Sequence, residues 1–454
     1  AVLVRMVSAI FQGLSHSIKA TAVSQPSFAM QIVVGSLSDL AESVIGAAVS
    51  LTQWSMVLTV VAVLLMFLST HLPPYPVKVV GGSAESFKEI VRKTPLLQSC
   101  PRGPFDFSSS VQLLIFGFQM MWEEFRFDAQ YNFVREEFET TLPGDSVAAD
   151  MSPGVSAMMW LLGRKGQSPR VLPDDAPIVI LCPGLNCYTA SLPGTSVYGA
   201  LLERPWRVAV FEKRGVGHHP SSVLTSPVFH LFGHPSDLHV AVLATQARYP
   251  NAPIHIAGVS SGNGLVGSYT AMYGSSVKSL RSILMLVGGD DYNSAFAPQS
   301  PSWLTRMLFD TVLLETSKQR FLRKNWKILE QKDAVALKAA AEATTLQSFY
   351  DITMRSFSGY SDPQEAERRI NAFTGDNNAC FHTYPVPVLY VGIEDDPVAP
   401  GGPKLSWQHV IRACETSAIA LLPCGSHLGC YDSLRLTRWL DRLLVQWVDV
   451  FESQ

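Results

Sequence analysis

The chain has 454 residues, of which 47% are hydrophobic and 16% are charged, and its formal net charge is −3. This length accommodates one large domain plus additional segments. Because the charge is slightly negative and no block of basic residues occurs, the composition argues against a nucleic-acid partner. The mean hydropathy of +0.17 is high for a soluble protein.

The seven cysteines show no C-x-x-C pair and no zinc-ligand spacing. An odd number without a scaffold pattern predicts mostly reduced, buried thiols. We therefore predict no metal, and because the chain has no Gly-rich phosphate loop we also predict no cofactor. The cysteines are Cys100, Cys182, Cys187, Cys380, Cys414, Cys424 and Cys430.

The N-terminal segment, residues 1–42, has the features of a targeting region. Residues 1–38 contain no acidic residue, and Arg5 and Lys19 are their only full cations. The segment is Ser-rich and lightly amphipathic, which is typical of a transit peptide, although two basic residues are few. An endomembrane, such as the endoplasmic reticulum, and a mitochondrial membrane both remain possible destinations.

Residues 43–72 predict a single transmembrane helix. No charged residue occurs from Ser43 to Val77, and the stretch Trp54 to Leu72 is dense in Val, Leu and Met. At ~1.5 Å per residue this stretch approaches the ~30 Å hydrocarbon core of a bilayer. A buried core helix is the alternative. Residues 73–94 then predict a linker, and the excess of cations after the span places the following domain on the cytosolic side.

From about residue 95 the chain alternates apolar runs with helical stretches, which predicts an α/β domain with a mostly parallel sheet. Eight strands are expected in this sheet. They lie near residues 132–140, 146–150, 177–182, 207–212, 253–259, 282–288, 386–392 and 417–422.

The run Gly258-Val259-Ser260-Ser261-Gly262 is a G-x-S-x-G motif that directly follows a predicted strand and precedes a predicted helix. A sharp turn of this kind strains Ser260 and exposes its hydroxyl above the sheet. Gly258 and Gly262 are required because a Cβ at either position would collide with a neighbouring element. The motif therefore predicts Ser260 as a nucleophile.

A carboxylate and a histidine follow this serine in the order that such a fold requires. Asp396 comes just after the strand near 386–392, and His427 lies on a glycine-flanked loop after the strand near 417–422. We expect Ser260 to attack the substrate and His427 to take and return the proton. Asp396 would orient the imidazole and stabilise its charged form.

The identity of the carboxylate is less sharply defined than that of the histidine. Asp396 fits best, because Pro397 restricts the turn behind it. The neighbouring Asp395 is the fallback. Asp290 and Asp291, which follow the strand near 282–288, are a weaker alternative.

An oxyanion hole needs a second loop, and the segment Cys182 to Asn186 after the strand near 177–182 is the candidate. Gly184 allows the backbone to approach a substrate closely. We predict that the amides of Leu185 and Ser261 donate to the oxyanion. An ordinary Pro-Gly turn is the alternative.

Nearly a hundred residues separate Gly289 from Pro385, which is more than a crossover helix requires. Helices are expected over Trp303 to Arg320 and Trp326 to Met354. We predict a helical lid insert at about 290–380 whose Trp, Leu, Phe and Met side chains favour an apolar acyl substrate. Plain structural helices are the alternative.

Together these motifs resemble those of the membrane-anchored alpha/beta-hydrolase domain (ABHD) proteins of the YheT-like or Emb8-like group. That group includes medium-chain fatty-acid ethyl ester synthase/esterases. The resemblance covers about residues 95–454 and implies an alpha/beta-hydrolase fold. The matching segments are 104–114, 134–145, 182–185 ("lPGL"), 208–215 ("vvvfN.RG"), 258–264 ("GfSlGgN"), 395–397 ("lDDPi") and 425–429 ("gGHlG").

The chain departs from this family pattern at two places. Leu113 replaces the threonine expected after Gln112, and the paired tyrosines expected after Tyr360 are missing. The second place lies near the acyl pocket in the family, so the substrate is left open.

The sequence thus predicts a single-pass membrane serine hydrolase that cleaves carboxylic esters, most plausibly acylglycerols, phospholipids or fatty-acyl esters. Its expected partners are the ester substrate and the bilayer. The alternative is a catalytically silent alpha/beta-hydrolase-fold subunit of a membrane complex. The intact order of serine, aspartate and histidine favours the enzyme.

Overall fold

A nine-stranded, mostly parallel β-sheet organises the protein. The computed structural model describes residues 72–140, 153–191, 196–217, 219–288, 309–359, 386–398 and 414–453. The strands are β1 (Tyr75–Pro76), β2 (Lys78–Gly81), β3 (Ser99–Cys100), β4 (Tyr131–Thr140), β5 (Gly154–Arg164), β6 (Ile178–Cys182), β7 (Arg207–Glu212), β8 (Ile254–Val259), β9 (Leu280–Leu286), β10 (Val388–Ile393) and β11 (Ser417–Leu422).

The sheet order is β2-β11-β10-β9-β8-β6-β7-β5-β4, and β1 pairs with β3 outside it. The six central strands, from β11 to β7 in this order, are parallel. At the edges β2 runs antiparallel to β11, β5 to β7 and β4 to β5. Since the central strands run in one direction, their carboxyl ends meet at a single edge of the sheet.

Helices cover the sheet. They are α1 (Glu85–Arg92), α2 (Ser109–Gln130), α3 (Ser196–Leu202), α4 (Pro235–Arg248), α5 (Gly262–Tyr273), α6 (Leu314–Ser317), α7 (Lys324–Glu342), α8 (Leu346–Phe357) and α9 (Trp439–Glu452). Two π-helical segments, Phe309–Leu313 and Lys318–Arg323, flank α6.

Burial on both faces explains why the central strands are continuous apolar runs. Every residue of β6, β8, β10 and β11 is buried. Successive side chains of β6 point to opposite faces, so Val179 and Leu181 join one apolar core, and Ile178 and Ile180 join the other.

The strand count of eight is wrong, since the described residues alone form a nine-stranded sheet. The sequence prediction missed β2 and β5. The predicted strand at 146–150 lies outside the described residues, and the partner of β4 is β5, which pairs with it from Tyr131–Arg164 to Thr140–Gly154. The apolar run from Val155 to Leu162 was the available signal for β5.

The predicted linker over 73–94 is likewise corrected, because it contains β2 and α1. The β2 strand pairs with β11, and Phe87 of α1 is buried 6.1 Å from the ring of Trp447. These contacts bury apolar surface in the same core as α9. The domain therefore includes residues before 95.

The described part of the insert is helical, as predicted, but the second predicted helix is interrupted. The α7 helix ends at Glu342, and α8 begins at Leu346, where the hydroxyl of Thr345 accepts a hydrogen bond from the Ser348 amide at 3.1 Å. An N-cap residue takes an extended backbone, which stops one continuous helix here. Residues 289–308 and 360–385 lie outside the described ranges.

None of the helices in the described ranges has both the length and the apolar character needed to cross a bilayer. The predicted targeting region at 1–42 and all but the last residue of the predicted span at 43–72 lie outside those ranges.

Candidate active site

The G-x-S-x-G motif forms a strand-turn-helix junction at the carboxyl edge of the sheet. The β8 strand ends at Val259, and α5 begins at Gly262. Between them Ser260 has φ of +52°, a left-handed conformation that costs a non-glycine residue free energy. The Ser260 amide donates to the Leu286 carbonyl at 2.9 Å, and the Ser260 carbonyl accepts from the Asn263 amide at 2.9 Å. These two bonds hold the strained turn in place.

The two glycines of the motif lie where the surrounding backbone leaves no room for a Cβ. A Cβ on Gly258 would lie 2.8 Å from the Gly262 carbonyl oxygen. A Cβ on Gly262 would lie only 2.1 Å from the carbonyl oxygen of Cys182, at the end of β6. The start of α5 therefore lies directly against the end of the neighbouring strand.

Gly262→Ala is expected to disrupt this junction, because relieving a 2.1 Å contact with backbone requires movement of the main chain. We expect a fall in Tm of several degrees and loss of most reaction with an active-site probe. The matched control is Gly117→Ala in α2, where no atom lies within 4 Å of the added Cβ. That change should stabilise the helix by about 0.5–1 kcal/mol. Differential scanning fluorimetry compares the two, and equal Tm values would contradict the steric argument.

Ser260, His427 and Asp396 are brought together by loops at the ends of β8, β11 and β10. The Ser260 hydroxyl donates to His427 Nε2 at 2.9 Å, and His427 Nδ1 donates to Asp396 Oδ2 at 2.8 Å. His427 and Asp396 are buried. The second carboxylate oxygen, Asp396 Oδ1, accepts from the Val398 amide at 2.8 Å, which holds the carboxylate toward the imidazole.

The fallback residue Asp395 points in a different direction. Its Oδ1 accepts hydrogen bonds from the amides of Gly425 and Ser426, both at 2.9 Å. Burial raises the pKa of this carboxyl group. Asp395 therefore stabilises the loop that carries His427 through its backbone amides, whereas Asp396 contacts the imidazole. Asp290 and Asp291 lie outside the described residues.

The His427 loop adopts an unusual backbone. Ser426 and Leu428 both have positive φ, at +57° and +65°. The Ser426 hydroxyl donates to the Ser109 carbonyl at 2.7 Å, which ties the loop to the first turn of α2. The strained loop is thus held from two sides, by Asp395 and by α2.

The loop that carries Leu185 lies beside Ser260. A Cβ on Gly184 would lie 3.1 Å from Ser260 Cβ and 3.5 Å from Ser260 Oγ. Ser261, the other predicted donor, precedes the first turn of α5. Gly184, which precedes Leu185, therefore lies against Ser260, and Ser261 follows Ser260 directly in the chain.

The sequence analysis missed a polar pair near the site, formed by the buried Gln112 and the partly buried Asp106. Gln112 of α2 donates from Nε2 to Asp106 Oδ1 at 3.2 Å, and a Cβ on Gly429 would lie 2.8 Å from Gln112 Oε1. Burial raises the pKa of Asp106 to about 6. Gln112 was noted only through the family resemblance, and nothing local in the sequence marks Asp106 as its partner.

Across the described ranges, no three His, Cys, Asp or Glu side chains converge in a way that would hold a metal ion. The six cysteines in those ranges are free thiols, and five of them are buried. At this edge of the sheet the Ser260 hydroxyl, the His427 imidazole and the Asp396 carboxylate form one hydrogen-bonded chain.

The mostly parallel sheet, the strained turn at Ser260 and the later loops that carry Asp396 and His427 together have the arrangement of the alpha/beta-hydrolase fold. No protein-family model matches the chain. Mouse phospholipase ABHD3 is 24% identical over 288 residues, which are 60% of this chain and 63% of that protein. The monoacylglycerol lipase of Saccharomyces cerevisiae is 22% identical over 295 residues, 63% of this chain and 62% of that protein. The chain thus spans less than two thirds of the length of these relatives.

Among solved structures, an esterase from Pyrobaculum calidifontis is 12% identical and superposes with a TM-score of 0.41, covering 74% of this chain and 89% of that one. The sequence relatives confirm the predicted resemblance to ABHD proteins. The described residues have the architecture of the alpha/beta-hydrolase fold, and the chain is similar in sequence to ABHD proteins over about 60% of its length.

Proposed function

We propose that the protein is a serine hydrolase that cleaves carboxylic esters of lipids through an acyl-enzyme intermediate. The observation that carries this proposal is the hydrogen-bonded chain from the Ser260 hydroxyl through His427 to Asp396, with distances of 2.9 and 2.8 Å. A serine in a strained turn, joined to a buried imidazole and carboxylate, is the arrangement that nucleophilic acyl transfer requires.

In the proposed reaction Ser260 Oγ bonds to the ester carbonyl carbon while its proton passes to His427 Nε2. The amides of Leu185 and Ser261 donate to the oxyanion that forms. The C–O bond to the leaving alcohol then breaks as His427 returns the proton to the alcohol oxygen. Water repeats the sequence on the acyl-enzyme and releases the acid. An alcohol in place of water would yield a new ester.

The names of the relatives, phospholipase and monoacylglycerol lipase, support a lipid substrate. The motif matches further favour the YheT-like or Emb8-like group within the ABHD proteins.

The test is fatty-acid release by the purified full chain from three esters: a monoacylglycerol, a phosphatidylcholine and a medium-chain fatty-acid ethyl ester. We expect release from at least one, abolished by prior treatment with a fluorophosphonate. If the folded protein releases acid from none of them and is not labelled, the silent-subunit alternative replaces this proposal.

We also propose that residues 43–72 anchor the protein in a membrane as a single span. Two experiments follow from the uncharged stretch between Ser43 and Val77. The full chain is expected to stay in the membrane pellet after carbonate extraction, and removal of residues 1–71 should release most of it. The cut precedes β1, so the described domain is kept. Free extraction of the full chain would show that the stretch does not span a bilayer.

A further inference from the structure

Lys213, immediately after β7, is a buried cation that has no part in the reaction proposed above. Only 2% of the residue is exposed. Its ammonium group donates to the carbonyl of Gly184 at 2.8 Å, to that of Leu231 at 3.2 Å and to that of Pro183 at 3.4 Å. All three of these partners are backbone carbonyls, and two belong to the loop beside Ser260.

The bond to Gly184 has a consequence for the next amide in the chain. In a trans peptide the carbonyl of one residue and the N–H of the next point in opposite directions from one rigid plane. Holding the Gly184 carbonyl toward Lys213 therefore turns the Leu185 N–H away from Lys213. Gly184 itself lies against Ser260, because a Cβ at Gly184 would be 3.5 Å from Ser260 Oγ. The Leu185 N–H therefore belongs to a loop that contacts the proposed nucleophile.

We propose that Lys213 is a positioning residue that orients the Leu185 amide as an oxyanion donor. This inference rests on the proposed ester hydrolysis and adds the group that holds the donor in place. A preorganised donor of this kind is valuable because it needs no rearrangement as charge develops. The aliphatic part of the Lys213 side chain packs closely against Gly233, where an added Cβ would lie 3.0 Å from Lys213 Cγ.

Lys213→Met tests this role, since methionine keeps the apolar stem and removes the three donors. We expect kcat to fall by up to about 10²-fold, the lower range for loss of one oxyanion donor, with KM changed less than about threefold. Lys324→Met is the matched control, because that ammonium donates to the Gly217 carbonyl at 2.7 Å, away from the Ser260 loop. It should change kcat by less than about twofold.

A trifluoromethyl ketone, which forms an oxyanion on the serine, distinguishes positioning from general damage. Its affinity should fall with kcat in Lys213→Met, whereas a non-hydrolysable ether analogue should bind as before. Equal affinities of the ketone for the wild-type protein and for Lys213→Met would overturn the proposal. If the wild-type chain fails to react with a fluorophosphonate at all, the proposed hydrolysis fails instead.

The pH dependence of the wild-type protein gives a second measurement that needs no variant. Burial lowers the pKa of Lys213 from 10.5 to about 8. Between these values the unfolded chain binds more protons, so this group makes the free energy of unfolding rise with pH. Urea denaturation of the wild-type protein between about pH 8 and pH 10.5 measures this contribution to the free energy of unfolding.

A separate observation concerns α2, which exposes four large apolar side chains to solvent. Phe118, Met121, Trp122 and Phe125 are 70%, 68%, 59% and 82% exposed. Their spacing places them on one side of the helix, which we call the outer face of α2. Contiguous exposed apolar side chains mark interaction surfaces.

The helix cannot rotate to bury this face, because other side chains of α2 are fixed to the domain. Tyr431 donates to Gln119 Oε1 at 2.7 Å, and Arg320 donates to both oxygens of Glu124 at 2.7 and 2.8 Å. The outer face therefore stays exposed in the described domain.

The position of α2 and the size of the face favour a bilayer as the occupant. Pro73, at the end of the uncharged stretch, accepts a hydrogen bond at 2.7 Å from Arg102, seven residues before α2 begins. The Arg126 guanidinium lies 5.7 Å from the Trp122 ring, where it can reach lipid phosphate. Four side chains are far fewer than the roughly 20–30 residues that each partner contributes to a stable protein interface.

We infer that the outer face of α2 docks on the lipid bilayer, among the headgroups and upper acyl chains. Trp, Phe and Met are suited to this interfacial depth. Because Ser109 in the first turn of α2 contacts the His427 loop, docking would bring the candidate site close to the lipid surface. This inference rests on the proposed action on lipid esters.

Phe125→Cys carrying an environment-sensitive fluorophore tests the docking in the full chain reconstituted in phosphatidylcholine vesicles. Its emission should shift to the blue and be quenched by brominated lipid. Val335→Cys, on an equally exposed residue of α7, is the control and should stay solvent-like. The parent protein corrects for labelling of native cysteines. An unshifted Phe125→Cys signal would overturn the inference, as would a shift that follows dimerisation in sedimentation velocity without vesicles.

The double variant Trp122→Glu/Phe125→Glu adds a functional readout. Turnover of an ester embedded in vesicles should fall about tenfold or more, while turnover of a soluble short-chain ester stays within about twofold. Val335→Glu should change neither. Equal loss on both substrates would contradict docking. If no ester is hydrolysed, the fluorescence experiment still decides the docking, and only the proposed function fails.

Discussion

Ser260→Ala is expected to abolish covalent labelling by a fluorophosphonate and to lower ester turnover by about 10⁶-fold, the loss seen when a serine protease loses its nucleophile. The reason is that Ser260 Oγ supplies the atom that bonds to the carbonyl carbon, and its hydrogen bond to His427 at 2.9 Å is the route for its proton. Labelling followed by mass spectrometry of the modified peptide measures the first effect, and fatty-acid release measures the second.

The neighbouring serine is the matched control for this experiment. Ser261 is buried next to the nucleophile, but its proposed contribution comes from the backbone amide, which Ser261→Ala retains. Turnover of this variant should stay within about threefold of the wild type. Labelling that persists in Ser260→Ala and disappears in Ser261→Ala would reverse the assignment of the nucleophile. Labelling that persists in both would place it elsewhere in the chain.

Asp396→Asn is expected to lower turnover by about 10⁴-fold with the fold preserved, as the equivalent change does in a serine protease. Asp396 Oδ2 accepts from His427 Nδ1 at 2.8 Å, so the carboxylate selects the tautomer whose Nε2 faces Ser260. An asparagine amide can donate to the imidazole instead, which favours the wrong tautomer, and it stabilises the imidazolium less. Steady-state turnover is the measurement, and the Tm of the variant should stay within a few degrees of the wild type.

Asp395→Asn is the control for this substitution, at the adjacent position. Its side-chain carbonyl can still accept from the Gly425 and Ser426 amides, both now at 2.9 Å, so the His427 loop should keep its shape. We expect a loss of about tenfold or less. If Asp395→Asn lost more turnover than Asp396→Asn, Asp395 would be the triad acid and Asp396 the residue that supports the loop. If neither variant lost turnover, the acid would have to be sought at Asp290 or Asp291.

Several errors of the sequence prediction share one origin. The β2 strand has only four residues in a stretch rich in Pro and Gly, so it resembles a linker. Its place in the sheet depends on pairing with β11, more than three hundred residues away. The break between α7 and α8 depends on a single capping hydroxyl, Thr345, inside an otherwise helical pattern. Helical periodicity is a property of many residues, whereas a cap or an edge pairing is set by one or a few contacts.

The sequence by itself determined the α/β class and the candidate site residues, because both depend on local patterns. Fully buried parallel strands must be continuous apolar runs, and the residues that follow them must meet at one edge of the sheet. The serine turn, the Asp395-Asp396 pair and the loop of His427 could therefore be located from strand ends alone.

Pro397 favoured Asp396 over Asp395 in the sequence, but only the tertiary structure shows which partner each side chain faces. Asp395 and Asp396 are adjacent and chemically identical, yet one contacts backbone amides and the other the imidazole. Lys213 reads as a surface cation until the loop of Gly184 is seen to surround its ammonium group. Side-chain direction and burial are set by contacts between residues distant in the chain, and no local pattern encodes them.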